Sequence, residues 1–315
     1  MINSSKENDI LALALHLKGF CFSEKYQRKI ALNSLSFVEF SKILLANDYN
    51  QYFDMAVESF YDLTSQNINF LPFFNEFYPE NLRHIKNAPF GLFACGNLSL
   101  LNNKNNFISI VGTRNPSALS IHYTKFISDY LSSQNITIVS GMASGIDSAC
   151  HRAALEKQGG TIGVIAHGFN HIYPQKNHDL FFKAKTSESN YNILLLSEYA
   201  IDVKPKNFHF PRRNRIISGI SKNLIFIEGG VKSGAVITVK YALDQGREIY
   251  VFDHPYLKNN EGGQLLINEG AYKLDDYFKI EVFSDSQHRV NSANYLGNSL
   301  WCRIHEPSYF PFSLS

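Results

Sequence analysis

Six basic residues and no acid lie between Val203 and Lys222: Lys204, Lys206, Arg212, Arg213, Arg215 and Lys222. Phe208, His209, Phe210 and Pro211 are interleaved with them. A basic run alone is ordinarily a solvated face. Rings among the cations change its chemistry, because a single strand of nucleic acid is held by cations on its phosphates and by rings stacked on its bases, at roughly 1–3 kcal/mol per ring. The segment reads as a loop following the Ser197-Glu198-Tyr199 strand end. Phe210, beside Pro211, is expected to plug the core, which leaves Phe208 to stack.

Three glycine-bearing turns add candidate anion seats. The first, Gly112-Thr113-Arg114-Asn115-Pro116-Ser117, follows an apolar run. Gly112 permits a tight turn and Ser117 suits the N-cap of a helix starting near Leu119. Free amides at that helix start favour an anion, and Arg114 adds a charge-assisted clamp. The second turn runs from Ser140 to Asp147, with Gly141 and Gly145 four apart and Ser144 between them. It is not the dinucleotide fingerprint Gly-x-Gly-x-x-Gly. Asp147 falls in the first helical turn, where a carboxylate satisfies backbone donors and the helix dipole, so its role and that of His151 read as structural. The third turn, Glu228-Gly229-Gly230-Val231-Lys232-Ser233-Gly234-Ala235, lacks the Gly-Lys-Ser/Thr of a phosphate loop, hence the lysine and the magnesium-binding hydroxyl of an ATPase.

Catalytic and metal signatures are missing from the sequence. It contains no Gly-x-Ser-x-Gly elbow, no His-Glu-x-x-His and no cysteine–histidine motif. His167 and His171 flank a turn without a third ligand. Cys21, Cys95, Cys150 and Cys302 are far apart with no Cys-x-x-Cys, which reads as neither a zinc knuckle nor a disulfide scaffold. The expectation is a binding protein with no catalytic residue, cofactor or metal.

Turns of this kind need a scaffold. Apolar runs at 107–111, 136–139, 161–166, 193–196, 224–227 and 248–252 alternate with amphipathic stretches at 121–133, 146–158 and 236–245. The runs lack the polar alternation of a one-sided sheet, as strands buried on both faces should. Strand, helix and strand repeated in this way imply parallel βαβ units with right-handed crossovers. The expected fold class is α/β, a Rossmann-like doubly wound parallel sheet, preceded by a small helical N-terminal domain. Ligands bind such sheets at the carboxyl ends of the strands, near the reversal of strand order, and all three turns lie on that edge.

Upstream, Ile10, Leu11, Ala14, Leu15 and Lys18 follow helical spacing, and Ser36-x-x-Glu39 is a capping box ahead of Phe40, Ile43 and Leu44. The expected division is a helical accessory domain at 1–87, the Rossmann-like domain at 88–278, and a short tail at 279–315 carrying Trp301, Tyr309, Phe310 and Phe312. Of 315 residues, 44% are hydrophobic and 18% charged, with 30 Lys+Arg against 28 Asp+Glu. That balance excludes a disordered chain and an overall polycation, so any attraction for nucleic acid must be local. The polar start and the short apolar stretch at 10–17, interrupted by His16, read as neither signal peptide nor membrane span. A cytoplasmic chain without membrane insertion is expected.

In order, Tyr78-Pro79-x-x-Leu82, Val111-Gly112-Thr113-Arg114, Ser140-Gly141-Met142-Ala143-x-Gly145-Ile146-Asp147 and His151 resemble the bacterial DNA-processing protein DprA (Smf) family. So do Tyr173-Pro174-x-x-Asn177, Ser197-Glu198-Tyr199, Phe210-Pro211-x-Arg213-Asn214-Arg215-Ile216-Ile217 and Glu228-x-x-x-x-Ser233-Gly234-x-x-x-Thr238. The resemblance spans residues 78–271. It implies a homodimer that binds single-stranded DNA, protects incoming strands during natural transformation and helps load the RecA recombinase, without catalysis. It also implies a phosphate contact for Arg114, basic and stacking contacts for Lys206 and a ring at Phe208 or Phe210, and one structural arginine in the Arg-Asn-Arg segment.

The expected DNA-binding residues are therefore Gly112, Thr113, Arg114 and Ser117 of the first turn and Gly141, Ser144 and Gly145 of the second. Ser233 and Gly234 of the third turn join them, with Lys204, Lys206, Phe208, Phe210, Arg213, Asn214 and Arg215 of the basic segment. Some positions depart from the family pattern: Gly229 and Ala235 replace alanine and serine, Ser144 stands at a commonly basic position, and the tail is too short for a winged-helix-like domain. The competing readings are a nucleotide- or sugar-phosphate-cleaving enzyme and a nucleotide-sensing module. An enzyme needs a compact pocket with a positioned acid or base, not six cations and two rings.

Overall fold

The computed structural model describes residues 4–19, 37–102, 106–186 and 191–274; Ser36 of the expected capping box and the 279–315 tail lie outside the described residues. Among them one sheet holds nine strands. These are β1 (Ile68–Pro72), β2 (Gly91–Gly96), β3 (Asn106–Val111), β4 (Ile136–Gly141), β5 (Thr161–Ile165), β6 (Ile193–Ser197), β7 (Asn223–Phe226), β8 (Glu248–Phe252) and β9 (Tyr272–Leu274). Their order is β1-β2-β6-β5-β4-β3-β7-β8-β9. From β6 to β9 every pairing is parallel, while β2 runs antiparallel to β6 and β1 antiparallel to β2. All six apolar runs form strands, β3 to β8.

The helices are α1 (Ser4–Leu17), α2 (Phe37–Leu45), α3 (Tyr49–Ser65), α4 (Glu80–Arg83), α5 (Ala118–Ser133), α6 (Ile146–Glu156), α7 (His178–Lys185), α8 (His209–Ile220), α9 (Gly234–Asp244) and α10 (Glu261–Asn268). They cover both faces of the sheet, which is why the strands are apolar throughout. Side chains that alternate along a strand enter different cores. Ile162 and Val164 of β5 pack with Ile216 and Ile220 of α8, whereas Ile165 packs with Phe169 and Phe181 on the other side. Ile138 of β4 joins Tyr123 of α5 and Cys150 of α6. Burial of such residues, at about 25 cal/mol per Å² of apolar surface, drives the layering.

Two expectations are corrected. The span 1–87 is not wholly helical: β1 lies inside it and pairs with β2, Phe70 opposite Phe93. Helix α1 is buried from Ile10 to Leu15, and the His16 ring meets Phe70 and Phe93 edge-on, each at 5.3 Å. The N-terminal helices thus share a core with the sheet. The second correction concerns residues 203–222, expected as a loop. Most of the segment is helix α8, with Phe208 at the N-cap position. Pro211 is tolerated because it occupies the first turn, where an amide has no intrahelical acceptor to lose.

The chain winds outward from β3 through α5 to β4 and, in the opposite direction, from β7 through α9 to β8. Strand order therefore reverses between β3 and β7. The first and third turns flank this crevice, and the second turn and the basic segment lie on its β4–β6 side.

Candidate nucleic-acid interface

Helix α8 sorts the basic segment into inward and outward groups. Arg213, Asn214 and Arg215 are buried, at 5%, 8% and 7% exposure. Arg215 pairs with Glu198 at 2.6 Å and donates to the carbonyls of Asn87 and Arg212 at 3.0 Å each. Arg213 donates to the Val164 carbonyl and to Asn214 Oδ1, and Asn214 Nδ2 donates to the Gly234 carbonyl at 3.3 Å. The whole Arg-Asn-Arg segment is engaged by the protein, where one structural arginine was expected. Lys204, Lys206, Phe208 and Arg212 face solvent.

At the carboxyl ends of β3, β4 and β5 a shallow open pocket is lined by Arg114, Met142, Ser144, His167, Tyr173, Phe210 and Arg213, among others. Phe210 is not in the core. It is half-buried on the pocket wall, with the Arg114 guanidinium 5.7 Å from its ring centre and the Tyr173 ring 5.4 Å away. Helical geometry explains the change, since residue 209 of the same turn points inward instead. The His209 ring stacks on Tyr199 at 4.1 Å, donates from Nδ1 to the Ala166 carbonyl, and has its pKa lowered by burial. Next to it Phe208 is 67% exposed, edge-on to His209 at 4.6 Å, with Lys206 Nζ 5.9 Å from its ring.

Backbone approach holds Arg114 at the rim. The Ile146 amide donates to the Thr113 carbonyl at 3.2 Å. Gly145 has φ +83°, and a Cβ there would lie 2.4 Å from the Thr113 oxygen. Gly141 is needed for a different reason, because its missing Cβ leaves room for the Arg213 guanidinium and the Asp147 carboxylate beneath the pocket. Burial raises the Asp147 pKa to about 6, opposed by Arg213, and lowers that of Arg213 to about 10, opposed by Asp147. Asp147 also accepts from the Ala143 amide at 3.3 Å, so it braces the second turn.

The anion expected at the start of α5 is supplied by the chain itself. Glu228, 2% exposed, accepts from the Ser117 amide at 2.9 Å and from its hydroxyl at 3.1 Å, while its carbonyl takes the Thr113 amide at 2.7 Å. Ser117 in turn caps α5 by accepting from the Ser120 amide at 3.1 Å. Across the crevice Ser233 caps α9, accepting from Val236, and Gly234 begins that helix. Ser117, Ser233, Gly234, Asn214 and Arg215 thus serve the scaffold, whereas Arg114, Ser144, Phe210 and the edge of Arg213 line the pocket. Tyr173, Met142 and His167 were not anticipated as site residues. The Tyr-Pro pair in the turn after β5 was the available signal.

Among the described residues no group of three His, Cys, Asp or Glu is placed to hold a metal, and no helix is long and apolar enough to cross a membrane. The family model described as DNA recombination-mediator protein A matches residues 69–283. The chain belongs to the DNA recombination-mediator protein A family. Within that family, the DNA processing protein DprA of Bacillus subtilis is 38% identical over 239 residues, 75% of this chain and 78% of the relative. The protein Smf of Escherichia coli is 36% identical over 210 residues, 66% of this chain but 54% of the relative, so the chain matches about half of it. The solved structure of DNA processing protein A from Streptococcus pneumoniae superposes with a TM-score of 0.63 at 30% identity, covering 85% of this chain and 89% of that one. A Helicobacter pylori DNA processing protein A, whose structure addresses its single-stranded DNA binding mode, gives 0.59 at 28% identity, covering 69% and 93%. The chain shares its Rossmann-like architecture with these structures.

Proposed function

We propose that this chain binds single-stranded DNA at the carboxyl ends of β3 to β6, acting by binding rather than turnover. The observation that carries the reading is the clustering of one cation and two rings, Arg114, Phe210 and Tyr173, on a single open pocket. Phosphates would meet Arg114, Lys204 and Lys206, while bases would stack on Phe210 and Phe208. Gly112, Thr113, Gly141 and Gly145 act by backbone shape. The Helicobacter pylori relative, whose structure concerns single-stranded DNA binding, supports the same ligand. The recombination-mediator family supports the finer role, protection of incoming strands and loading of the RecA recombinase by a cytoplasmic homodimer.

Fluorescence anisotropy across a salt series tests the ligand. Single strands should bind more tightly than duplex and tolerate any sequence, and each neutralised phosphate should contribute about −0.7 to the slope of log K against log salt. Arg114→Ala should weaken every sequence alike and reduce that slope by about one phosphate. An unchanged slope in Arg114→Ala would falsify its phosphate contact, and equal affinity for duplex would remove the single-strand reading. RecA loading onto coated strands and sedimentation at micromolar concentration test the partner and the homodimer.

A further inference from the structure

A second exposed ring stands on the same edge of the sheet, in the turn after β8. Tyr256 is 77% exposed. Its amide donates to His254 Nδ1 at 3.2 Å, and the Leu257 amide donates to the His254 carbonyl at 2.9 Å, which fixes the turn. The Tyr256 ring lies 5.3 Å from that of His254. His254 is buried and packs against Tyr123 at 5.5 Å and Phe252 at 6.3 Å, both core residues.

This construction parallels the one around Phe208, where an exposed ring also rests on a buried histidine that rests on an aromatic residue. A lysine lies two residues from each ring: Lys206 before Phe208, Lys258 after Tyr256. Asn260 draws the third glycine-bearing turn into the corner. Its Oδ1 accepts from the Gly229 amide and its Nδ2 donates to the Phe252 carbonyl, each at 3.2 Å. That turn carries Lys232, which like Lys258 is exposed. Two carboxylates lie close by. Asp253 is engaged by Lys273 at 2.7 Å and Gln264 at 2.6 Å, and Glu261 faces the dipole of α10 from its first turn.

We propose that Tyr256, with Lys258 and Lys232, is a second stacking subsite for single-stranded DNA, reached by a strand that leaves the Arg114–Phe210 pocket and crosses the crevice between β3 and β7. The inference rests on the DNA-binding reading above. An exposed ring among cations, with the nearest carboxylate engaged, matches a polyanion with stackable bases. From β5, the outermost strand whose end lines the pocket, to β8 the sheet advances four strand spacings, about 19 Å at 4.8 Å each. At about 3.4 Å per stacked nucleotide that is roughly six nucleotides.

The length predicts the test. Affinities of the full chain for a four-nucleotide and a twenty-nucleotide oligothymidylate are measured for wild type, Tyr256→Ala and Tyr256→Trp. Tyr256→Ala should weaken the longer oligonucleotide by about fivefold or more and leave the shorter within about twofold, while Tyr256→Trp keeps wild-type affinity for both. An unchanged long-oligonucleotide affinity in Tyr256→Ala overturns the subsite, as does an equal loss at both lengths. Intact DNA affinity with lost RecA loading also overturns it, by assigning the ring to a protein. If wild type binds neither length, the DNA-binding reading itself fails, an outcome distinct from the others.

Discussion

Cations of the same type, a few residues apart, have opposite roles here. Arg212 has a side chain 55% exposed and lies 3.5 Å from Glu198, whereas the Arg215 side chain is 8% exposed and 2.6 Å from the same carboxylate. Removing the buried partner leaves Glu198 only the longer contact to Arg212 and orphans the Asn87 carbonyl, which costs about 3 kcal/mol. Removing the exposed one should cost under about 0.5 kcal/mol. Urea denaturation of Arg215→Ala and Arg212→Ala measures both. Equal stabilities would refute the division of the basic segment into scaffold and surface. A composition count cannot make that division, because charge shows what a residue can bind but not which way its helix turns it.

Between elements, the decisive contact is backbone against backbone. Gly145 has a positive φ and leaves no room for a Cβ beside Thr113. Gly145→Ala should therefore destabilise the fold by about 2 kcal/mol or more and weaken DNA binding as well, since displacing the Thr113 carbonyl moves Arg114. Thermal melts and anisotropy read the two effects. Wild-type values for both would show that the turns move independently.

The strands from β3 to β8 were legible because burial on both faces writes an unbroken apolar run. Strand β9 has three residues, β1 ends in Pro72, and β2 is bounded by glycines, so no run or alternation marked them. Helix α8 was hidden for another reason. Its buried face includes His209, Arg213, Asn214 and Arg215, polar residues satisfied by hydrogen bonds, so apolar periodicity could not report it. Reading the segment as a loop misplaced Phe210, whereas Arg114 and Phe208 were legible from turn position and composition. Glu228 was visible as part of a motif, but its contact with Ser117 arises only where β3 and β7 become neighbours.

For the whole molecule, a net charge of +2 supplies little overall attraction for a polyanion, so the proposed DNA binding would take its salt dependence from a local patch. The N-terminal helices contribute to that edge through packing. His16 on α1 donates from Nε2 to the Glu198 carbonyl at 2.9 Å, and the Glu198 side chain holds α8. A chain beginning at residue 66 should uncover Phe70 and Phe93, melt several degrees lower and bind DNA more weakly. Differential scanning fluorimetry and anisotropy compare it with the full chain, and an unchanged melt would make α1 to α3 dispensable.

The buried Glu228 carboxylate bears on competition. Free nucleotides carry the same phosphates as a strand, and a vacant phosphate seat on a Rossmann-like sheet would be a standing target for them. A carboxylate tethered to the chain is never diluted, so it occupies the Ser117 amide and hydroxyl that a mobile phosphate would otherwise claim. On the proposed reading, grip on a strand falls to neighbouring surfaces that a single nucleotide cannot span, and selectivity for polymer over monomer would follow from a seat that is already taken.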